Sequence, residues 1–194
     1  MKRFRLVAAV TVMAMFVLAP ARANAAPDAT FTTTADVTVD LTNNPPTVAN
    51  ANPPLSTAAK NLSGVCVQDQ AAYFQFDLST VATNATAVTI SIPLLPGGVG
   101  TNFTAQLATV ASTPTSISET PGSTAPAIGA LLGSPVTVVN AGTPNPATLT
   151  FTSSSDIVAY VNSHKGGNVI FALVVTCGTN QAVSLGAQDK QTSM

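Results

Sequence analysis

The feature that most constrains the fold of this chain is an alternation of apolar and polar side chains with a period of two. In residues 31–41, FTTTADVTVDL, the odd positions are mostly apolar and the even positions are all polar. A period of two sends successive side chains to opposite faces of a β-strand. The segment therefore predicts an opening strand with one face buried and the other face in water.

A second alternating stretch, CVQDQAAYFQFDLSTV, spans residues 66–81 and is rich in aromatic residues. Phe74 and Phe76 fall on its apolar face, so we expect both rings in the core. Tyr73 and Gln75 fall on the opposite face, where two interpretations stay open. Either these two side chains contact a bound sugar, or a loop or the strand of the second cysteine covers them.

Further segments with the composition of strands follow, separated by turns rich in Asn, Pro and Gly. They span residues 87–95, 104–110, 134–140, 147–152, 168–177 and 182–187. The segment 168–177 is apolar on both faces, which places it at the centre of a sheet rather than at an edge.

Only residues 153–163, SSSDIVAYVNS, have the pattern of a helix. Ser153 and Asp156 resemble a capping pair, and Ile157 and Val161 fall on one helical face with Tyr160. Many short strands and a single helix predict an all-β fold, namely an antiparallel β-sandwich of the jelly-roll type with one short helix.

The N-terminus has the pattern of a secretory signal peptide. Basic residues within the first five positions precede an apolar run over residues 6–21, and the small residues Ala23-Asn24-Ala25 follow. We expect residues 1–25 to be removed and residues 26–194 to form one domain. The run is short for a retained anchor, so stable membrane insertion is not expected after cleavage. The predicted location is outside the cell or on its surface.

Charge and cysteine content restrict the partners. Residues 26–194 contain three lysines, eight acidic residues and no arginine, a net charge of −5. Nucleic acid binding needs basic side chains to neutralise phosphates, so we exclude nucleic acid partners. Cys66 and Cys177 are the only cysteines, and in an oxidising compartment such a pair predicts a disulfide.

No group of residues predicts catalysis. His164, the single histidine, lies in a turn-like NSHKGG sequence without a Gly-x-Ser-x-Gly context, so we expect a solvated turn residue rather than part of a triad. We therefore predict that the protein is not an enzyme. Asp28, Asp69 and Asp189 would be the carboxylates of a structural calcium site if they converge in the fold, whereas separate surface positions are the simpler interpretation.

Three stretches in order carry a family resemblance: AAYFQFDLSTV, then ISETPGSTAPAIGALLGSPVTV, then SSDIVAYVNSHKGGNVIFALVVTCGTNQAVSLGAQDK. They resemble the secreted β-sandwich family called DNRLRE domains, which is related to a family of carbohydrate-binding modules. The landmarks are Phe76-Asp77-Leu78-Ser79, Glu119 followed by Ala125-Pro126, and Asp156 leading to Phe171-Ala172-Leu173. The resemblance covers most of residues 28–190.

The chain departs from this family pattern at three places. Ile117 stands where a tryptophan is common, and Gln75 stands where a basic residue is common. The chain also ends in QDKQTSM instead of a proline-containing final strand, which predicts an open sheet edge.

Two functions follow as hypotheses. The resemblance implies a non-catalytic module that binds a polysaccharide or another surface component. The alternative is a structural or adhesive protein of the surface or matrix that self-associates by β-strand addition, through residues 31–41 and the open edge.

Overall fold

The computed structural model of the protein describes residues 29–51, 55–96, 103–111, 116–140, 144–145, 147–177, 183–187 and 192–194. The predicted signal peptide lies outside these residues and stays a prediction. The elements in chain order are β1 (Ala35–Asp40), β2 (Thr47–Asn50), β3 (Leu55–Leu62), β4 (Val65–Asp77), β5 (Ile90–Leu95), β6 (Phe103–Val110), β7 (Ile128–Asn140), β8 (Pro144–Asn145), β9 (Thr148–Phe151), α1 (Ser155–Ser163), β10 (Asn168–Val175) and β11 (Val183–Ala187).

The strands form one hydrogen-bonded ladder whose two ends face each other. Its order is β8-β7-β6-β10-β4-β3-β11-β5-β9, while β1 pairs with β4 and with β2, and all of these pairings are antiparallel. The main core contains Val138 from β7, near one end, together with Phe151 from β9 at the other end. Because β7 and β9 contribute to one core and lie close together, the ladder must fold over into two layers. The predicted all-β, sandwich-like fold is confirmed.

The strand β10 lies between β6 and β4, as its two apolar faces predicted. Phe171 and Leu173 point into the main core. Ile170 and Ala172 point into a second, smaller core cluster on the other side of the same layer. The central position predicted for this strand is therefore confirmed.

The opening strand differs from its prediction, because β1 is buried on both faces. Val37 and Val39 pack into the second core cluster, while Asp36 and Thr38 are buried on the opposite face. The hydroxyl oxygen of Thr38 accepts the backbone N–H of Ser56 at 2.8 Å, and this bond replaces water. With β2 on one side and β4 on the other, β1 is not the free strand that self-association by strand addition would need.

The predicted open edge at the end of the chain is also wrong. Ser193 forms antiparallel bridges both to Thr32 and to Ser91 of β5. The backbone groups of Phe31 and Met194 exchange two hydrogen bonds of 2.9 Å. The last three residues thus fill the gap between the opening segment and β5.

The helix α1 packs on the main core through Ile157 and Val161, as predicted. Its N-cap is Ser154 rather than the predicted Ser153. The Asp156 carboxylate accepts the backbone N–H of Gly133 in β7 at 2.8 Å, which ties the helix to that strand. Hydrogen bonds from the Ser154 hydroxyl and from this N–H hold the pKa of Asp156 below its ordinary value.

Candidate functional site: the β3–β4 hairpin

The predicted ligand residues Tyr73 and Gln75 lie beneath a loop formed by residues 116–127. Tyr73 is fully buried, and its hydroxyl donates to the Pro126 carbonyl oxygen at 2.7 Å. The Gln75 Oε1 atom accepts the backbone N–H of Ile117 at 2.7 Å. Gln75 also donates from Nε2 to the Thr34 hydroxyl at 3.0 Å. The loop that carries Ile117 thus satisfies both side chains.

This burial corrects the interpretation of Tyr73 and Gln75 as a sugar-contacting pair. Burial raises the pKa of the Tyr73 phenol well above its ordinary value, because the ionised form would be desolvated. Of the two interpretations left open by the sequence, covering by a loop is the one that the structure has. The covered side chains belong to the second core cluster or to its border. The cluster comprises Val37, Val39, Val48, Ala71, Tyr73, Ala108, Val110, Ile117, Ala125, Ile170, Ala172 and Val174.

The predicted disulfide between Cys66 and Cys177 is present, with the two Cα atoms 5.4 Å apart. It joins β4 to the residues that follow β10. The backbone N–H of Cys177 also lies 2.9 Å from the Cys66 sulfur.

The predicted calcium ligands are not brought together among the residues that the structure describes. Asp69 forms an ion pair with Lys60 at 3.0 Å, whereas Asp28 and Asp189 lie outside the described ranges. Within those ranges no three His, Cys, Asp or Glu side chains form a group able to hold a metal ion. A calcium site at the three aspartates stays a prediction.

His164 ends α1, in the turn where the sequence placed it. Its Nδ1 atom lies 2.8 Å from the Tyr160 carbonyl oxygen. Its ring packs edge-on against the Tyr160 ring, with the ring centres 4.5 Å apart. These contacts give His164 a structural role at the end of the helix.

The most prominent exposed apolar surface that the structure describes lies at the tip of the hairpin formed by β3 and β4. Ser63 and Gly64 form a two-residue turn with φ values of 54° and 88°, the conformation that a tight hairpin requires. The register pairs Leu62 with Val65 and places Val67 on the same face. We call Leu62, Val65 and Val67 the hairpin face; their exposed fractions are 49%, 63% and 36%.

The opposite face of the hairpin is fixed to the rest of the protein. Cys66 forms the disulfide to Cys177, and Gln68 accepts the backbone N–H of Val175 through Oε1 at 3.3 Å. These two side chains alternate along β4 with those of the hairpin face. The disulfide and the glutamine therefore hold the hairpin from behind while its aliphatic side chains point outward.

Sequence reasoning missed this surface because it did not identify β3 and began the neighbouring strand at residue 66. The available signal was Ser63-Gly64, a turn dipeptide between two alternating segments.

Fold and disulfide together define a sandwich-like all-β protein with one internal crosslink. Comparison with known proteins found no matching family model and no matching curated protein. The resemblance to DNRLRE domains therefore stays a prediction. The only helix in the described part of the chain, α1, lacks the length and apolar character needed to cross a membrane.

Proposed function

We propose that this chain is an exported, non-catalytic structural or adhesive module of the cell exterior, which acts through contacts made by the hairpin face. The observation that carries this proposal is the distribution of large side chains. Every aromatic ring of residues 26–194 is buried or half-buried against a core cluster. In contrast, three aliphatic side chains stand outward together on the hairpin.

The positions of the aromatic rings favour this function over carbohydrate binding. A module that holds sugars by ring stacking needs the face of a Trp or Tyr in contact with solvent. Here Tyr73 lies under the loop of residues 116–127, and Tyr160 packs against Phe171 with ring centres 5.3 Å apart.

The hairpin face favours a contact with another apolar surface. Covering apolar area gains about 25 cal/mol per Å². Scattered exposed aliphatic residues are ordinary, whereas Leu62, Val65 and Val67 share one face of a hairpin, and this grouping supports an interaction surface there. The disulfide and Gln68 hold the hairpin in place, so little conformational entropy is lost on contact.

Export is supported by the leader pattern of residues 1–25 and by the disulfide, which persists in oxidising compartments. Sparse charge with a net −5 over residues 26–194 suits a neutral surface contact better than electrostatic capture of an anion.

The experiment compares surface retention of the tagged full chain in its own cells. The test variant is Leu62→Thr/Val65→Thr, which removes apolar surface and places β-branched side chains suited to strands at both positions. The control is Leu131→Thr in β7, an equally exposed aliphatic position at 56%. We expect the wild type and the control in the surface fraction, and the test variant released at least fivefold more into the medium.

Equal retention of the test variant would overturn the proposal. Glycan-array binding of the wild type that the test variant retains would also overturn it, in favour of a carbohydrate-binding module. Mass spectrometry of the recovered protein checks for cleavage after Ala25.

A further inference from the structure

We propose that the partner of the hairpin face is a lipid bilayer surface without net charge, into which the tip of the β3–β4 hairpin inserts shallowly and reversibly. This inference rests on the proposed function and names its partner. The contact is peripheral, because only the tip enters one leaflet while the rest of the protein stays outside.

The tip of the hairpin extends from the sheet with no further strand of the described residues beside it. On the β3 side, pairing with β11 reaches no further towards the tip than Ala59. On the β4 side, the last contact with the opening segment is the Leu41 N–H, which bonds to the Asp69 carbonyl at 2.9 Å. All six residues from 62 to 67 are exposed. No other described strand therefore lies between the tip and an approaching surface.

The tip carries no charge. Every side chain between Lys60 and Asp69 is neutral, and Cys66 is held in the disulfide. Lys60 is aligned with Val67, so it lies on the same face as the aliphatic side chains, about 10 Å behind the turn at a rise of about 3.3 Å per residue. Apolar faces at membrane surfaces reach about 5–10 Å into the boundary of headgroups and acyl chains. Insertion to that depth leaves Lys60 and Asp69 at the headgroups.

The backbone of the turn is partly satisfied within the hairpin. Leu62 and Val65 flank the two-residue turn and form the hydrogen-bonded pair that closes it. The Gly64 N–H donates to Oδ1 of Asn61 at 2.8 Å. Backbone groups that leave water for an apolar phase without another partner are costly to bury. These bonds lower that cost at the tip, so more of the gain from burying the aliphatic side chains is retained.

The size of the apolar surface favours lipid over another protein. Three partly exposed aliphatic side chains fall far short of the roughly 1,200–2,000 Å² that a stable protein interface buries. A protein partner would also need a groove shaped to receive the tip, whereas fluid acyl chains close around it. The disulfide and Gln68 hold the tip in place, so little conformational entropy is lost on insertion.

Charge determines the class of lipid. The net charge of −5 over residues 26–194 repels anionic headgroups. Lys60 does not offset this repulsion, because it is already neutralised by Asp69 at 3.0 Å. Binding strength at a membrane surface otherwise scales with the buried apolar area, which is small here. We therefore expect weak, reversible binding to neutral lipid that anionic lipid does not strengthen.

The test is flotation of the exported protein with phosphatidylcholine vesicles over a range of lipid concentrations. Leu62→Thr/Val65→Thr should lose at least about fivefold in vesicle affinity, because it removes apolar area from the tip. Leu131→Thr is the control and should bind as the wild type does. Vesicles that also contain phosphatidylglycerol should bind no more tightly than phosphatidylcholine alone. Thermal melts of the same samples check that each variant folds.

A fluorescent reporter locates the contact without any loss of affinity. The chain contains no tryptophan, so Leu62→Trp carries a single indole ring at the tip. Its emission should shift to shorter wavelength when phosphatidylcholine vesicles are added, and lipids brominated on their acyl chains should quench it. Leu131→Trp is the matched control and should show neither effect.

Absence of flotation with phosphatidylcholine at every lipid concentration would overturn the inference. Flotation only with phosphatidylglycerol, equal affinity of the test variant, or an unshifted Leu62→Trp emission would also overturn it. Surface retention that depends on Leu62 and Val65, together with a purified protein that does not float, would exclude lipid in favour of a protein partner and leave the proposed function standing. Vesicle binding that depends on these residues, together with unchanged retention in cells, would overturn the proposed function and leave the lipid contact standing.

Discussion

At the scale of single residues, Tyr73 combines a ring inside an apolar cluster with a hydroxyl that has one protein acceptor, the Pro126 carbonyl. In Tyr73→Phe the Pro126 carbonyl loses a donor that comes from a fully buried side chain, so we expect a loss of about 1–3 kcal/mol in the free energy of unfolding. The control is Tyr160→Phe: the Tyr160 side chain is half-buried whereas Tyr73 is fully buried, so we expect water to replace the lost hydroxyl contact more easily at residue 160. Denaturant titration measures both losses. A cost at residue 160 as large as that at residue 73 would contradict this account.

The two tyrosines also predict a dependence of stability on pH. Burial raises the pKa of Tyr73 and of Tyr160 above the ordinary value of about 10. Above that pH the unfolded chain loses phenolic protons that the folded protein keeps, so the free energy of unfolding falls as pH rises, while below it these groups contribute no slope. Unfolding midpoints between about pH 8 and pH 11 test this. The decline should be shallower in Tyr73→Phe, and an unchanged slope would contradict the assignment.

Gly133 occupies a position in β7 that requires glycine for two reasons. Its φ is +62°, and a Cβ there would lie 2.9 Å from Cδ1 of the buried Ile157. We expect Gly133→Ala to cost about 1–3 kcal/mol for the backbone conformation and at least about 1 kcal/mol more for the crowding. Gly166→Ala is the matched control, with φ +83° and open space around the added atom. Equal melting temperatures of the two variants would show that the Ile157 contact is easily relieved.

The sequence predicted the buried phenylalanines correctly, and for Gln75 it offered covering by a loop as one of two alternatives without identifying the loop. The alternating pattern shows which positions face the apolar core. This was enough to place Phe74 and Phe76, because a phenylalanine ring needs only apolar surroundings. A polar side chain can be satisfied by water or by a distant backbone group. The partner of Gln75 is Ile117, 42 residues further along the chain. No local pattern encodes a contact of that separation.

At the scale of elements, residues 192–194 act as a short strand inserted between the opening segment and β5. The Ser193 N–H donates to the Ser91 carbonyl at 2.9 Å. Proline has no such donor, so we expect Ser193→Pro to lower the free energy of unfolding by about 1–3 kcal/mol. Ser193→Ala keeps the N–H and should stay within about 0.5 kcal/mol of the wild type. Faster hydrogen exchange of the Ser91 and Phe31 amides would locate the effect at these bridges. An unchanged free energy of unfolding in Ser193→Pro would show that the bridges contribute little to stability.

The position of a strand could be predicted from the sequence where its own residues show a clear apolar pattern. The strand β10 was predicted at the sheet centre because both of its faces are apolar. The strands β2 and β3 were missed, since Thr47–Asn50 is short and Leu55–Leu62 is rich in Ala, Ser and Asn. The stability of these two strands comes from pairing with β1, β4 and β11 rather than from their own composition.

At the scale of the whole molecule, one disulfide links residues 111 positions apart. We expect Cys66→Ala/Cys177→Ala to lose about 2–5 kcal/mol of stability, because the unfolded chain regains the freedom that the crosslink removes. Thermal melts of the variant and of the wild type with and without reductant measure the loss. The reduced wild type should resemble the variant, and melting unaffected by either treatment would contradict the expectation.

The crosslink would have a mechanical consequence under the proposed attachment to a surface. Under tension applied through its two termini, the covalent bridge between Cys66 and Cys177 bears the load, and the chain between these residues, 111 positions apart, is withheld from stretching. Fully drawn out, that length of chain would span roughly 370–400 Å. Reduction of this one disulfide would therefore allow the chain between Cys66 and Cys177 to extend under load.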